Sequence, residues 1–127
     1  MKTAITMAEE LAEQLHTVIS ISGKIDVISD GKRSCVLRNG CSTMARITGS
    51  GCMLTSLIGA FCGAYEDSFV AACVAMAAMG ISGEIAEEKC LRNGTGNATF
   101  RNDLIDAVFN MTEEKMKEGV RYELYER

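Results

Sequence analysis

A turn rich in glycine and hydroxyl groups, Thr48-Gly49-Ser50-Gly51, runs into Cys52 and then into Met53-Leu54-Thr55-Ser56-Leu57-Ile58-Gly59-Ala60-Phe61. Two glycines and a serine let the backbone turn sharply without Cβ clashes. The residues that follow are apolar or small at helical spacing, which predicts a buried helix beginning near Gly51. The first N–H groups of a helix have no intrahelical partner, and with the helix dipole they make an anion site. Cys52 falls in the first turn of that helix, where the same field favours a thiolate. The plain alternative is a tight loop entering a core helix, because a single Gly-x-Gly is weak evidence by itself.

The elements that must position this turn can be read on both sides of it. Ile5, Ala8, Leu11, Ala12 and Leu15 recur at three- and four-residue spacing, which predicts a helix over 3–15. Val18-Ile19-Ser20-Ile21-Ser22 reads as a short strand buried on both faces, ended by Gly23. A helix followed at once by such a strand is α/β connectivity. The alternation of Ile25-Asp26-Val27-Ile28-Ser29, the Asp30-Gly31 turn signal and Cys35-Val36-Leu37 predict a β-hairpin. Beyond the motif, Glu66-Asp67-Ser68 signals a helix start, and 68–89 reads as one long helix whose small residues permit close packing on the helix from Gly51. Arg92 to Phe100 is a Gly-rich loop, followed by a helix over roughly 99–110. Thr112-Glu113-Glu114 opens a short helix, and Arg121 to Arg127 alternates as an edge strand. In α/β sheets ligands collect beyond the carboxyl ends of strands, and Ser22, Gly23 and Lys24 occupy such an end.

The pattern Thr-Gly-Ser-Gly-Cys-Met-Leu-Thr-Ser, followed by Ile-Gly-Ala-Phe, resembles the anion-hole segment of the hydroxyethylthiazole kinases, ribokinase-like enzymes of thiamine salvage. Most of that superfamily ends the motif with Asp, the catalytic base. The thiazole kinases place Cys there, as this chain does at Cys52. The resemblance runs along nearly the whole chain and matches the C-terminal half of such an enzyme, without its N-terminal half. It implies an α/β fold, the C-terminal half of a ribokinase-like three-layer sandwich with sheet strands, a hairpin and packed helices, with 1–127 forming one partial domain.

The same resemblance implies the site. Cys52 would be the catalytic group, and Gly49, Ser50, Gly51 and Cys52 the anion hole, with Gly49 also touching substrate. Ile21-Ser22-Gly23-Lys24 is similar to the family segment ending a strand with Thr-Gly-Glu, so Ser22 would contact nucleotide through its retained hydroxyl. Lys24 stands where the family has an acid and reverses the local charge. Asp30-Gly31 and Arg38-Asn39-Gly40 are similar to family hairpin turns, and Gly94-Thr95-Gly96 with Phe100 to its Gly-x-Gly-Ser-Phe loop. ATP and Mg2+ would be the cofactors. No metal ligand is assigned, since the family's magnesium contacts lie mainly in the missing half. The implied partners are ATP and a small thiazole alcohol, with the family's trimer, another homo-oligomer or a separate N-terminal half as protein partner.

Composition narrows the alternatives. A net charge of −4 argues against nucleic acid as a partner. The basic residues Lys24, Lys32, Arg33, Arg38 and Arg46 read as a solvated hairpin face. Six cysteines form no Cys-x-x-Cys pair and His16 is the single histidine, so a zinc site lacks its usual spacing. No signal-peptide pattern is read at the start, and a cytoplasmic protein with free, mostly buried thiols is expected. The apolar run Phe69 to Ile81 is short of the about 20 residues a membrane span needs.

Two functions of different class follow. One is phosphoryl transfer from ATP to the alcohol of a hydroxyethylthiazole. The other is a non-catalytic half-domain that oligomerises or pairs with a separate N-terminal half, since an apolar strand such as Val18–Ser22 needs neighbours on both sides. A cysteine redox protein is the weaker third reading, because no resolving cysteine lies close in sequence.

Overall fold

Four strands and five α-helices organise the residues that the computed structural model describes, 2–127. Helix α1, Lys2–Leu15, buries Ala8 and Ala12. It stops at His16, whose φ of +52° is left-handed and cannot continue a helix. Strands β1 (Ile19–Ile21), β2 (Asp26–Ser29), β3 (Arg33–Leu37) and β4 (Tyr122–Glu126) form one antiparallel sheet in the order β1-β2-β3-β4.

The hairpin read from the sequence is present. Asp30 Oδ1 accepts from the N–H groups of Lys32 and Arg33 at 2.9 and 2.7 Å, which closes the β2–β3 turn. Gly31 holds φ +94° there, and a Cβ would meet the α1 backbone at Glu13. The register pairs Val27 with Val36 and Ile28 with Cys35. Val27 and Val36 pack on α1, while Ile28, Cys35 and Leu37 face the opposite layer. This alternation follows from the two-residue period of a strand.

The second helical layer is built around α3, Ser68–Asn93. Asp67 caps its start, accepting from Phe69 and Val70 N–H groups, and Gly94 ends it at φ +66°. Helix α2, Ser50–Ala64, helix α4, Asn97–Phe109, and helix α5, Glu113–Gly119, pack against it or extend its layer. Helices therefore lie on both faces of the sheet, the three-layer α/β arrangement expected from the resemblance. By length and composition α3 would cross a membrane, but 72% of its most apolar 18-residue window is buried. It is the central core helix, apolar on nearly every side for that reason.

Several local expectations are corrected. Helix α2 starts at Ser50 as anticipated, but none of its residues is fully buried. Its inner side, Met53, Leu54, Leu57 and Ile58, packs inward, while the small residues Cys52, Ser56, Gly59 and Gly63 face outward. Small residues at helical spacing thus mark the uncovered face. Strand β1 is an edge strand of three residues with Ser20 exposed, rather than a strand buried on both faces. Arg38-Asn39-Gly40 is no hairpin turn, since the chain leaves the sheet there. Only Cys35 and Cys90 of the six cysteines are buried, so the thiols are not mostly hidden. The C-terminal segment does form an edge strand, with every residue of β4 exposed.

Candidate functional site

Strands β1 and β3 run in the same direction, each antiparallel to β2. Their carboxyl ends therefore lie at one end of the sheet. Ser22 follows β1 at that end, exposed, in a loop held by a hydrogen bond from Gly23 N–H to Asp26 Oδ1 of 3.0 Å. Burial pushes the Asp26 carboxyl above its ordinary value, and the Gly23 N–H partly offsets this. The chain leaving β3 passes Asn39 and a 3-10 turn, Ser42–Arg46, to reach Gly49. The sheet thus carries Ser22 and the Gly49–Cys52 turn beyond the same end.

The path to that turn is fixed by groups that sequence reading missed. Asn39 is buried at 5% exposure. Its Nδ2 donates to Glu84 Oε2 at 2.9 Å and to the Gly119 carbonyl at 2.8 Å, while its Oδ1 accepts from Arg121 N–H at 2.8 Å. One side chain therefore ties the exit of β3 to α3 and to the entry of β4. Glycines on α3 make the approach possible: a Cβ on Gly80 would sit 2.7 Å from Asn39 Cβ, and one on Gly83 would sit 2.5 Å from Met44 Sδ. Cys41 Sγ donates to the Gly83 carbonyl at 3.3 Å and Thr43 Oγ1 to Glu87 Oε1 at 2.6 Å. Ser50 Oγ donates back to the Met44 carbonyl at 3.0 Å. The only sequence signal was Asn39-Gly40, which predicts a turn and says nothing of partners elsewhere in the chain.

At the end of this scaffold the helix start is open. Gly49 is the N-cap, at φ +94°, and no side chain caps the helix. The first intrahelical bond runs from Met53 N–H to the Gly49 carbonyl, at 2.9 Å. The N–H groups of Ser50, Gly51 and Cys52 precede it and are left without a helical acceptor. Nothing lies within 4 Å of where a Cβ on Gly49 or Gly51 would be. Gly51 and Cys52 are exposed. Such a terminus accepts an anion through backbone donors and the positive end of the helix dipole.

Cys52 also lines a groove of about 480 Å³ with Ser56, Ala60, Met79, Leu104 and Ile105, between α2, α3 and α4. Its wall is apolar apart from the thiol and the Ser56 hydroxyl. Ser22 is not part of that groove. The structure therefore joins Gly49, Ser50, Gly51 and Cys52 into one turn and sets Ser22 at the same end of the sheet, outside the groove. Among the described residues, no three Cys, His, Asp or Glu side chains gather as a metal site.

Comparison with known proteins bears on the family and the fold. The hydroxyethylthiazole kinase family model matches residues 1–114. A hydroxyethylthiazole kinase of Clostridium botulinum strain Eklund 17B is 50% identical over 115 residues, covering 91% of this chain and 41% of its own length. Hydroxyethylthiazole kinase 2 of Methanosphaera stadtmanae is 43% identical over 125 residues, covering 98% and 44%. The solved structure of the hydroxyethylthiazole kinase protein from Pyrococcus horikoshii OT3 matches with a TM-score of 0.87 at 26% identity, over 98% of this chain and 47% of that one. The chain spans less than half the length of these relatives and corresponds to their C-terminal part. On the shared sequence and the shared fold, the chain belongs to the hydroxyethylthiazole kinase family.

Proposed function

We propose that this chain supplies the phosphoryl-transfer half of a hydroxyethylthiazole kinase, which moves a phosphoryl group from ATP to the alcohol of a hydroxyethylthiazole. The observation that carries this reading is the open, uncapped start of α2 with Cys52 in its first turn. Phosphoryl transfer calls mainly for positioning and charge stabilisation. The backbone N–H groups of Ser50, Gly51 and Cys52 would hold charge that builds on the transferring group. Gly49, which has no Cβ to obstruct approach, would touch the substrate. The Cys52 sulfur would accept the proton of the alcohol, and the apolar groove beside it suits a thiazole ring. Ser22 would bind nucleotide through its hydroxyl. ATP supplies the phosphoryl group when bound, and Mg2+ would enter with its phosphates. The described side chains offer the metal no ligand set, so no step is assigned to it. Family membership supports thiamine salvage as the setting; the cytoplasm is the compartment we propose for it.

The test pairs this chain with the portion of the Clostridium botulinum relative that precedes the matched region. Phosphorylated thiazole should form from Mg-ATP and the alcohol when both are present. No product, together with no calorimetric heat on adding Mg-ATP to the pair, would sink the proposal.

A second reading, a half-domain that assembles without catalysis, draws on exposed apolar groups. Phe109 is 87% exposed and Leu91 79%, near the ends of α4 and α3. A homo-oligomer, with the trimer as the expected form, or a complex with an N-terminal half would cover such groups.

A further inference from the structure

The outer edge of β4 has a definite hydrogen-bonding phase. Arg38 N–H donates to the Arg121 carbonyl at 3.0 Å, and Arg127 N–H donates to the Lys32 carbonyl at 2.9 Å. Both bonds fall in the β3–β4 register, which pairs Cys35 with Leu124 and Leu37 with Tyr122. Backbone groups alternate in direction along an antiparallel strand, so the odd-numbered residues of β4 bond to β3. The N–H and C=O groups of Tyr122, Leu124 and Glu126 therefore point away from β3, along an edge that ends the sheet. Opposite residues share a face, so these same three side chains lie on the side that Cys35 and Leu37 turn to α3. There they line an open groove of about 440 Å³ with Val74 of α3 and Met116 of α5. Its outer rim is uncovered, with Tyr122 56% exposed and Leu124 61%. Strand β4 has neither the lysine nor the proline that commonly blunts a sheet edge.

We propose that this edge is an interface between two copies of the chain, joined by antiparallel pairing of β4 with β4 about a dyad at Leu124. That register sets Leu124 against Leu124 of the second copy and Tyr122 against Glu126 of the second copy. Of the registers that set outward groups against outward groups, it alone pairs all three residues within the strand. A slip of one residue would face them with groups that point back to β3. On the groove side the Tyr122 hydroxyl meets the Glu126 carboxylate of the second copy. On the other side Glu123 stands against Tyr125, the hydroxyl and carboxylate that already bond within each chain. The one like-charged pair is Arg121 against Arg127, and each is neutralised by its own chain, Arg121 by Glu84 and Arg127 by Glu13. The two grooves then lie side by side, and the Leu124 side chains cover the rim between them. Such an isologous contact closes at two copies, so it is separate from any threefold contact. It also stands apart from catalysis, since no residue of the Gly49–Cys52 turn takes part.

The experiment follows the mass of the folded chain by light scattering over a dilution series, and its amide hydrogen exchange by NMR at the two ends of that series. The expected result is a mass of two chains at the upper end, with the Tyr122, Leu124 and Glu126 amides exchanging more slowly there. Leu124→Lys, which puts like charges on the dyad and removes its apolar contact, should weaken the dimer about tenfold or more. Leu124→Pro removes an N–H that β3 does not use and should weaken it too. Phe109→Ser should leave it unchanged. Exchange of those three amides that does not depend on concentration would overturn the proposal, and this is read on the parent chain whether or not a variant folds. So would an assembly whose mass Leu124→Lys leaves unaltered, or protection that only the N-terminal portion of a relative confers.

Discussion

Cys52 is where family membership and geometry make their sharpest joint demand. The thiol lies in the first turn of α2, exposed, next to three N–H groups with no helical acceptor. Its removal should therefore affect proton transfer and spare phosphate binding. In the reconstituted pair, Cys52→Ala should lower turnover by up to the 10²–10⁴-fold typical of a lost general base, at nearly unchanged ATP affinity. Cys52→Asp should retain activity, because carboxylate is the base that related kinases use at this place. Steady-state kinetics with calorimetric ATP titration checks both. Parental turnover in Cys52→Ala, or an inactive but folded Cys52→Asp, would reduce Cys52 to a groove residue. This position was legible because glycine, glycine and cysteine at that spacing state a backbone requirement and a nucleophile together.

Secondary elements were read well wherever local periodicity or a cap decided them. Asp67 before α3 and Asp30-Gly31 between β2 and β3 act as their types predict, whereas α3 runs past the expected 89 to Asn93 before Gly94 ends it. What α2 covers was misread, because an apolar pattern does not say how many neighbours a helix has. The small residues of α3 were expected to admit α2. Helix α2 does pack on α3, and Gly80 and Gly83 admit the chain leaving β3 as well. Gly80→Ala should thus cost about 1–3 kcal/mol through overpacking against Asn39. Gly59→Ala, with nothing within 4 Å of its Cβ, should stabilise α2 by about 0.5–1 kcal/mol. Asn39→Ala strands the Arg121 N–H and the Gly119 carbonyl and should cost about 1–3 kcal/mol. Urea unfolding of the three variants checks the order, and equal costs for the two glycines would refute the packing argument. A separate tie links β3 to the start of α3. Arg33 donates to both Asp67 oxygens at 2.9 and 3.1 Å and lies 4.5 Å above the Phe69 ring. The hydrogen bond from Arg33 holds the Asp67 carboxyl below its ordinary value. A carboxylate with a depressed folded value stabilises above the ordinary carboxylate range and loses that contribution as pH falls through the folded value. Stability should therefore drop below pH about 4, and Asp67→Asn, which keeps the capping oxygen, should show a smaller drop. Urea midpoints measured against pH test this, and identical slopes would disprove the pair's part in it.

At the scale of the molecule, the sheet ends in two unprotected strands. Strand β1 has three residues and one hydrogen-bonded neighbour, and β4 is exposed along its whole length. Unpaired N–H and C=O groups along such edges invite another strand. The outer face of α2 is lined with small residues over a groove of about 480 Å³, and Phe109 and Leu91 stand in solvent. That the chain matches the C-terminal part of longer relatives was legible from the resemblance, but which faces lack cover was not. Periodicity reports that a residue is apolar, while its neighbours decide whether it is buried. Soluble monomers rarely leave so much apolar surface open. At micromolar concentration the chain should therefore self-associate, and adding the N-terminal portion of a relative should convert that population into a defined complex. Light scattering behind a sizing column reads both states, with the mass rising as concentration rises. A single monomeric mass across that range, with a cooperative melt that the N-terminal portion leaves unshifted, would show that these faces need no partner.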